Sequence, residues 1–127
     1  MNRIYNLSDL LFVPSYSELF PMTILEAANS FKPVLVRDLE LYRGILFDDR
    51  DCYAKGNAVA EFDAAIKRFH EDRAFYDHYV EGVKQISDYY SKDRLRGIWK
   101  EYYQRIYNKW KDNKKKRLKM KWQLEDA

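Results

Sequence analysis

Apolar residues in this chain change their spacing several times, and each change predicts a different element. Leu10-Leu11-Phe12-Val13 is a short unbroken apolar run, bounded by Ser8-Asp9 before it and Pro14-Ser15 after it. Such a run between turn-forming residues predicts a strand buried on both faces of a parallel sheet. Phe20, Ile24, Ala27, Ala28 and Phe31 then recur at three-to-four spacing, which predicts one face of a helix. Ser17 and Pro21 mark its start, because proline is tolerated only in the first helical turn, and Lys32-Pro33 ends it. Val34-Leu35-Val36 predicts a second strand, residues 38–46 a short helix, and Asp48-Asp49-Arg50-Asp51 an acidic loop. Tyr53-Ala54 predicts a brief third strand, with Gly56-Asn57 as its turn.

From residue 59 the period is helical throughout. Val59, Phe62, Ala65, Ile66 and Phe69 line one predicted helix, and Asp72-Arg73 separates it from a second carrying Phe75, Tyr79, Val83, Ile86 and Tyr90. Ser91 is placed as the N-cap of a last helix with the stripe Leu95, Ile98, Trp99, Tyr102, Ile106 and Trp110. Strand-helix alternation of this kind implies an α/β fold with right-handed β-α-β units and a parallel sheet. Only about three strands are available, so the pattern describes the C-terminal half of a doubly wound domain followed by a run of helices. Three segments result: residues 1–57, a partial nucleotide-binding segment; 58–112, helices; and 113–127, a basic tail.

Composition narrows the class. At 127 residues with 46% hydrophobic content, the chain is one globular domain at most, and it is not a disordered or fibrous sequence. No apolar run approaches the roughly 20 residues of a membrane-spanning helix. Met1-Asn2-Arg3-Ile4-Tyr5 lacks the apolar core of a secretory signal. The single cysteine, Cys52, has no internal disulfide partner and no metal-ligand spacing, which fits a reducing cytoplasmic setting. His70 and His78 sit on polar helix faces as ordinary surface residues, and the acidic loop lacks the alternating oxygen ligands of a calcium site. No metal or cofactor is expected.

Net charge is +3, but it is unevenly spread. Residues 1–91 hold 10 Lys+Arg against 15 Asp+Glu, whereas residues 92–121 hold 13 against 3. The tail therefore has a surface role of its own or is a solvated helix end. Lys109, Lys114, Lys115, Lys116, Arg117, Lys119 and Lys121 interleave with Trp110, Leu118 and Met120. Basic clusters with interfacial aromatics suit an anionic membrane surface, at roughly 1 kcal/mol per near-surface cation. Charge alone would also suit nucleic acid, but no nucleic-acid-binding fold pattern accompanies it, so no nucleic-acid partner is expected.

Chemistry concentrates in residues 14–27. Glu18 and Glu26 are separated by seven residues, with Glu18 in the loop beyond the first strand and Glu26 along the following helix. Ligands of open parallel sheets bind beyond the carboxyl ends of the strands. A helix N-terminus at that edge favours phosphate, and a carboxylate can accept two sugar hydroxyls at once. The residues alone leave two readings open, a nucleotide-sugar site or a pair of solvated surface carboxylates.

The pattern P-S-x-x-E-x-F-x-x-x-x-L-E-A lies between the strands D-L-L-F-V and K-P-V-L-V. It resembles the Glu-x7-Glu signature of family 4 retaining glycosyltransferases, and within them a subgroup of bacterial glucosyl- and galactosyltransferases acting on diacylglycerol-based acceptors. Such enzymes have two Rossmann-like domains with the active site between them, and the signature belongs to the C-terminal domain. The resemblance implies that Glu18 is the catalytic-site residue at the donor sugar and that Glu26 holds the ribose hydroxyls. It further implies that the backbone from Phe20 through Pro21 and Met22 to Thr23 approaches the sugar and diphosphate of a donor, expected to be a UDP-hexose. Many members have Gly where this chain has Pro21, and proline offers no N–H there. The resemblance also implies an upstream acceptor domain and an Arg/Lys pair for the phosphates, neither within these residues. Met1 thus reads as an interior position, and the chain as a fragment, truncated gene or split subunit, inactive alone. The alternative is an inactive remnant that sits on the inner membrane face through its tail. Final helices in the family pack on the N-terminal domain, so the aromatic stripe is expected to be uncovered here.

Overall fold

A computed structural model describes residues 2–125, with Asn2, Asp48 and residues 121–125 described by backbone path only. Elements run in the order α1 (Asn2–Leu7), β1 (Leu11–Val13), α2 (Met22–Asn29), β2 (Val34–Arg37), α3 (Glu40–Ile45), a 3-10 turn (Asp48–Arg50), β3 (Ala54–Gly56), α4 (Val59–Glu71), α5 (Arg73–Tyr89) and α6 (Lys92–Glu125). They form two compact units, the first ending at Tyr90 and the second beginning at Ser91.

The first unit is a three-stranded parallel sheet in the order β1-β2-β3, with helices on both faces. Leu11 pairs with Val34 and Val13 with Val36, while Leu35 pairs with Ala54 and Arg37 with Gly56. Side-chain alternation along the central strand sorts the core into two layers. Val34 and Val36 join Ile24, Ala27, Ala28, Val83 and Ile86 on the side of α2 and the C-terminal half of α5. Leu35 and Ala54 face Phe62, Phe69 and Tyr79, on the side of α4 and the first half of α5. Val34, Leu35 and Val36 are fully buried, and each such side chain contributes roughly 1.5–3 kcal/mol.

Three expectations are corrected. β1 is an edge strand: Phe12 is 40% exposed and Leu11 and Val13 are only half-buried, because the sheet continues past β1 on one side alone. Phe20 and Phe31 lie outside α2 and are exposed, leaving Ile24, Ala27 and Ala28 as its buried face. Along α4 only Phe62 and Phe69 are buried, with Val59 and Ile66 exposed.

α2 ends in a Schellman motif. Lys32 N–H donates to the Ala27 carbonyl at 3.0 Å and Phe31 N–H to that of Ala28 at 2.9 Å. Phe31 takes the left-handed conformation at φ 55°, a place usually held by glycine, so the stop carries no glycine signal in the sequence. α5 is capped by Asp72, whose carboxylate accepts from Phe75 N–H at 3.0 Å. Glu61 caps α4 by accepting from the N–H groups of Asn57 and Ala58.

The second unit is the 34-residue helix α6. Ile98, Trp99, Tyr102, Tyr103, Ile106, Tyr107 and Trp110 are all exposed along it.

Candidate functional site

The carboxyl ends of β1 and β2 open onto the loop of residues 14–21 and the start of α2, and both predicted carboxylates belong to this edge. Glu18 is half-buried in the loop. Pro21 is buried at the N-cap position, so α2 begins at Met22. Glu26 is therefore the fifth helical residue, just over one turn in. Proline at the cap donates nothing, but its carbonyl accepts from Leu25 N–H at 3.1 Å. Met22 N–H donates to the Phe20 carbonyl at 2.9 Å. Phe20, Met22 and Thr23 are exposed, the first two at 47% and 57%.

Three further residues shape this edge, and two of them carry no sequence signal for the site. Tyr5, buried in α1, donates its hydroxyl to Glu26 Oε2 at 2.9 Å. Burial pushes the Tyr5 hydroxyl up, and the hydrogen bond to Glu26 and its charge push it further, so it stays protonated as a donor. One oxygen of Glu26 is thereby fixed, and among the described residues Oε1 has no hydrogen-bond partner. Because Tyr5 lies 21 positions from Glu26, tertiary packing alone joins them.

Tyr42, in α3, is fully buried with its hydroxyl unpartnered among the described residues. Burial pushes that hydroxyl up to about 12, and the Glu18 charge adds to the shift. Arg37 ends the apolar β2 run at this edge and links the loops that follow β1 and β3. A charged residue closing such a run is the one hint the sequence holds.

The other candidates lie elsewhere. Asp51, at φ 50°, accepts from Tyr79 Oη at 3.3 Å and pairs with His78 Nε2 at 3.0 Å, so the acidic loop is a polar turn tied to α5. Burial, then Asp51, pushes the Tyr79 hydroxyl up to about 12. Among the described residues no group of three His, Cys, Asp or Glu side chains is placed to share a metal ion. On α6, Lys109, Lys114 and Arg117 share one exposed face with Ile106, Trp110 and Leu118, and Lys114 Nζ lies 5.1 Å from the Trp110 ring. Lys115, Lys116 and Lys119 are exposed, and the side chain of Lys121 lies outside the described residues. No described helix is long and apolar enough to cross a membrane.

Residues 1–86 match the family described as glycosyl transferases group 1. Over 105 residues the chain is 40% identical to alpha-galactosylglucosyldiacylglycerol synthase of Streptococcus pneumoniae (strain ATCC BAA-255 / R6). That alignment covers 83% of this chain and 27% of the synthase, so the chain spans about a quarter of the length of this relative. On the extent of these two matches, the chain belongs to the glycosyl transferases group 1 family.

Proposed function

We propose that these residues form the donor side of a retaining glycosyltransferase that moves a hexose from a nucleotide-sugar, a UDP-hexose, to a lipid or glycolipid acceptor. The observation that carries the reading is the Glu18/Glu26 pair at the carboxyl edge of the sheet, with Glu26 held by Tyr5. In this reading Glu26 Oε1 accepts from the ribose hydroxyls, and Glu18 accepts from the hydroxyls of the sugar and stabilises charge at the reacting carbon. The exposed start of α2 faces the diphosphate, with Thr23 N–H the first of the helix that no carbonyl among the described residues engages. No metal takes part. A relative named as a diacylglycerol glycolipid synthase supports the lipid acceptor. The acceptor domain lies outside these residues, on the same or a partner chain, so the isolated chain binds donor without transferring it.

Titration of UDP-glucose and UDP into the chain tests this. Glu26→Ala should weaken both by about tenfold or more, the cost of leaving ribose hydroxyls unpaired. Tight binding indifferent to Glu26→Ala sinks the ribose assignment.

A second reading concerns α6. Its exposed Ile106, Trp110 and Leu118 beside Lys109, Lys114 and Arg117 suit the interface of an anionic membrane, with Lys115, Lys116, Lys119 and Lys121 adding charge. This would seat the chain peripherally on the cytoplasmic face, where a lipid acceptor resides. Cosedimentation with anionic and neutral vesicles, with and without residues 109–127, measures it. Equal binding to both vesicle types counts against it.

A further inference from the structure

We infer that Arg37 is a positioning residue for the donor loop: its guanidinium fastens the segment carrying Glu18 to the ends of the two neighbouring strands. The inference rests on the donor-site reading above. Arg37 is the last residue of the central strand, and its side chain leaves on the same side as that of Leu35, toward α4. Nε donates to the Pro14 carbonyl at 2.9 Å, and Nη1 donates to the Asn57 carbonyl at 2.9 Å. Tyr16 covers the guanidinium at 3.9 Å from its ring centroid, and the Phe62 ring lies 5.5 Å away. One planar cation thus ties the loop after β1 to the loop after β3, and it stacks on an aromatic belonging to the first of them.

The geometry demands arginine. Two carbonyls from different loops are reached by two N–H groups of a rigid fork while the plane stacks on a ring, whereas a lysine ammonium is a point charge on a flexible stem. The loop itself is thinly held. Tyr16 is 83% and Leu19 95% exposed. Among the described residues, the bond from Arg37 Nε is the only side-chain hydrogen bond that reaches residues 14–20, and the loop's other tie is the short-range bond from Met22 N–H to the Phe20 carbonyl. With the tie in place, the loop is ordered before ligand arrives; without it, binding must itself order the loop, which lowers affinity.

The test uses the whole chain with Arg37→Gln and Arg37→Lys. Backbone 15N relaxation of residues 15–20 is measured without ligand, and UDP-glucose affinity is measured by calorimetry. Order parameters near 0.85 should fall below about 0.6 in both variants. Affinity should drop about tenfold in both, with melting points within about 3 °C of the parent, as for a surface tie. Should Arg37→Gln fail to fold, Arg37→Lys decides alone. Unchanged order parameters, or full affinity in the lysine variant, overturns the inference. Where Glu18→Ala and Glu26→Ala lose binding but both Arg37 variants keep it, only the role of Arg37 falls. If the parent chain binds no UDP-glucose, the donor reading fails and this inference fails with it.

Discussion

Removing a single oxygen atom, in Tyr5→Phe, asks whether Glu26 is held in place by the fold or only by a ligand. The ring of Tyr5 is 8% exposed and would stay where it is, so apolar burial is unchanged. What is lost is the 2.9 Å bond from the hydroxyl to Glu26 Oε2. A hydrogen bond to a charged acceptor contributes about 1.5–3 kcal/mol when buried. Glu26 is only half-buried, so water competes for it, and about 1 kcal/mol is the reasonable expectation. In a first unit of some 90 residues that lowers the melting point by about 4–8 °C. The assay is a double-mutant cycle of Tyr5→Phe and Glu26→Ala by urea unfolding followed by circular dichroism. A coupling energy of about 1 kcal/mol is expected between the two sites. The bond also has a pH signature. Because the folded Tyr5 hydroxyl is raised above its ordinary 10.0, its contribution is complete below pH 10 and fades as pH rises through the folded value. Tyr5→Phe should lack that alkaline loss. A coupling energy under about 0.3 kcal/mol would refute the pre-positioning of Glu26.

Other consequences can be measured on the same material. A Cβ at Gly82 would sit 2.6 Å from the Cys52 carbonyl oxygen and 2.7 Å from its Cα, so α5 and the chain entering β3 must separate. Gly82→Ala should cost about 1–3 kcal/mol, outweighing the gain in helix propensity of up to about 1 kcal/mol, and an unchanged denaturation midpoint contradicts it. Phe31→Gly removes a side chain from the left-handed position at φ 55° and should stabilise by about 0.5–1 kcal/mol; destabilisation would mean the half-exposed ring packs better than it looks. Tyr42 and Tyr79, both pushed up to about 12 chiefly by burial, should remain largely un-ionised at pH 11 in an absorbance titration at 295 nm, and Tyr42→Phe and Tyr79→Phe should each remove absorbance change only above that pH. Their raised values mean that stability holds below pH 10 and is lost as pH rises from there through about 12.

Much of this was legible in the residues, for reasons that can be named. Val34-Leu35-Val36 reads as a central strand because it is buried on both faces, and the spacing of Ile24, Ala27 and Ala28 gives the buried face of α2 directly. The glycosyltransferase assignment and its glycolipid-synthase likeness rest on the thirty residues around Glu18 and Glu26, and the family match and the synthase relative agree with both. β1 misled because four apolar residues in a row say nothing about whether a neighbour exists on each side. Only the pairing reveals that Phe12 lies on an edge. α1 has too few apolar positions to show a period, and its contribution, Tyr5 on Glu26, depends on a contact across 21 residues. The end of α2 was misplaced because Phe31 fills a place where glycine is the usual sign. The roles of Arg37 and Tyr42 are not legible for a related reason: a guanidinium bridging two loops and a buried hydroxyl unpartnered among the described residues are properties of the assembled edge, not of local sequence.

The proposed nucleotide-sugar site at the carboxyl edge of the sheet can be read out residue by residue. Mapping amide chemical-shift changes on titration with UDP-glucose tests it most directly. Changes should concentrate in residues 15–26, with smaller ones at Arg37 and Asn57, all lost together in Glu26→Ala. Shifts confined to α6, or none at all at millimolar donor, would contradict it.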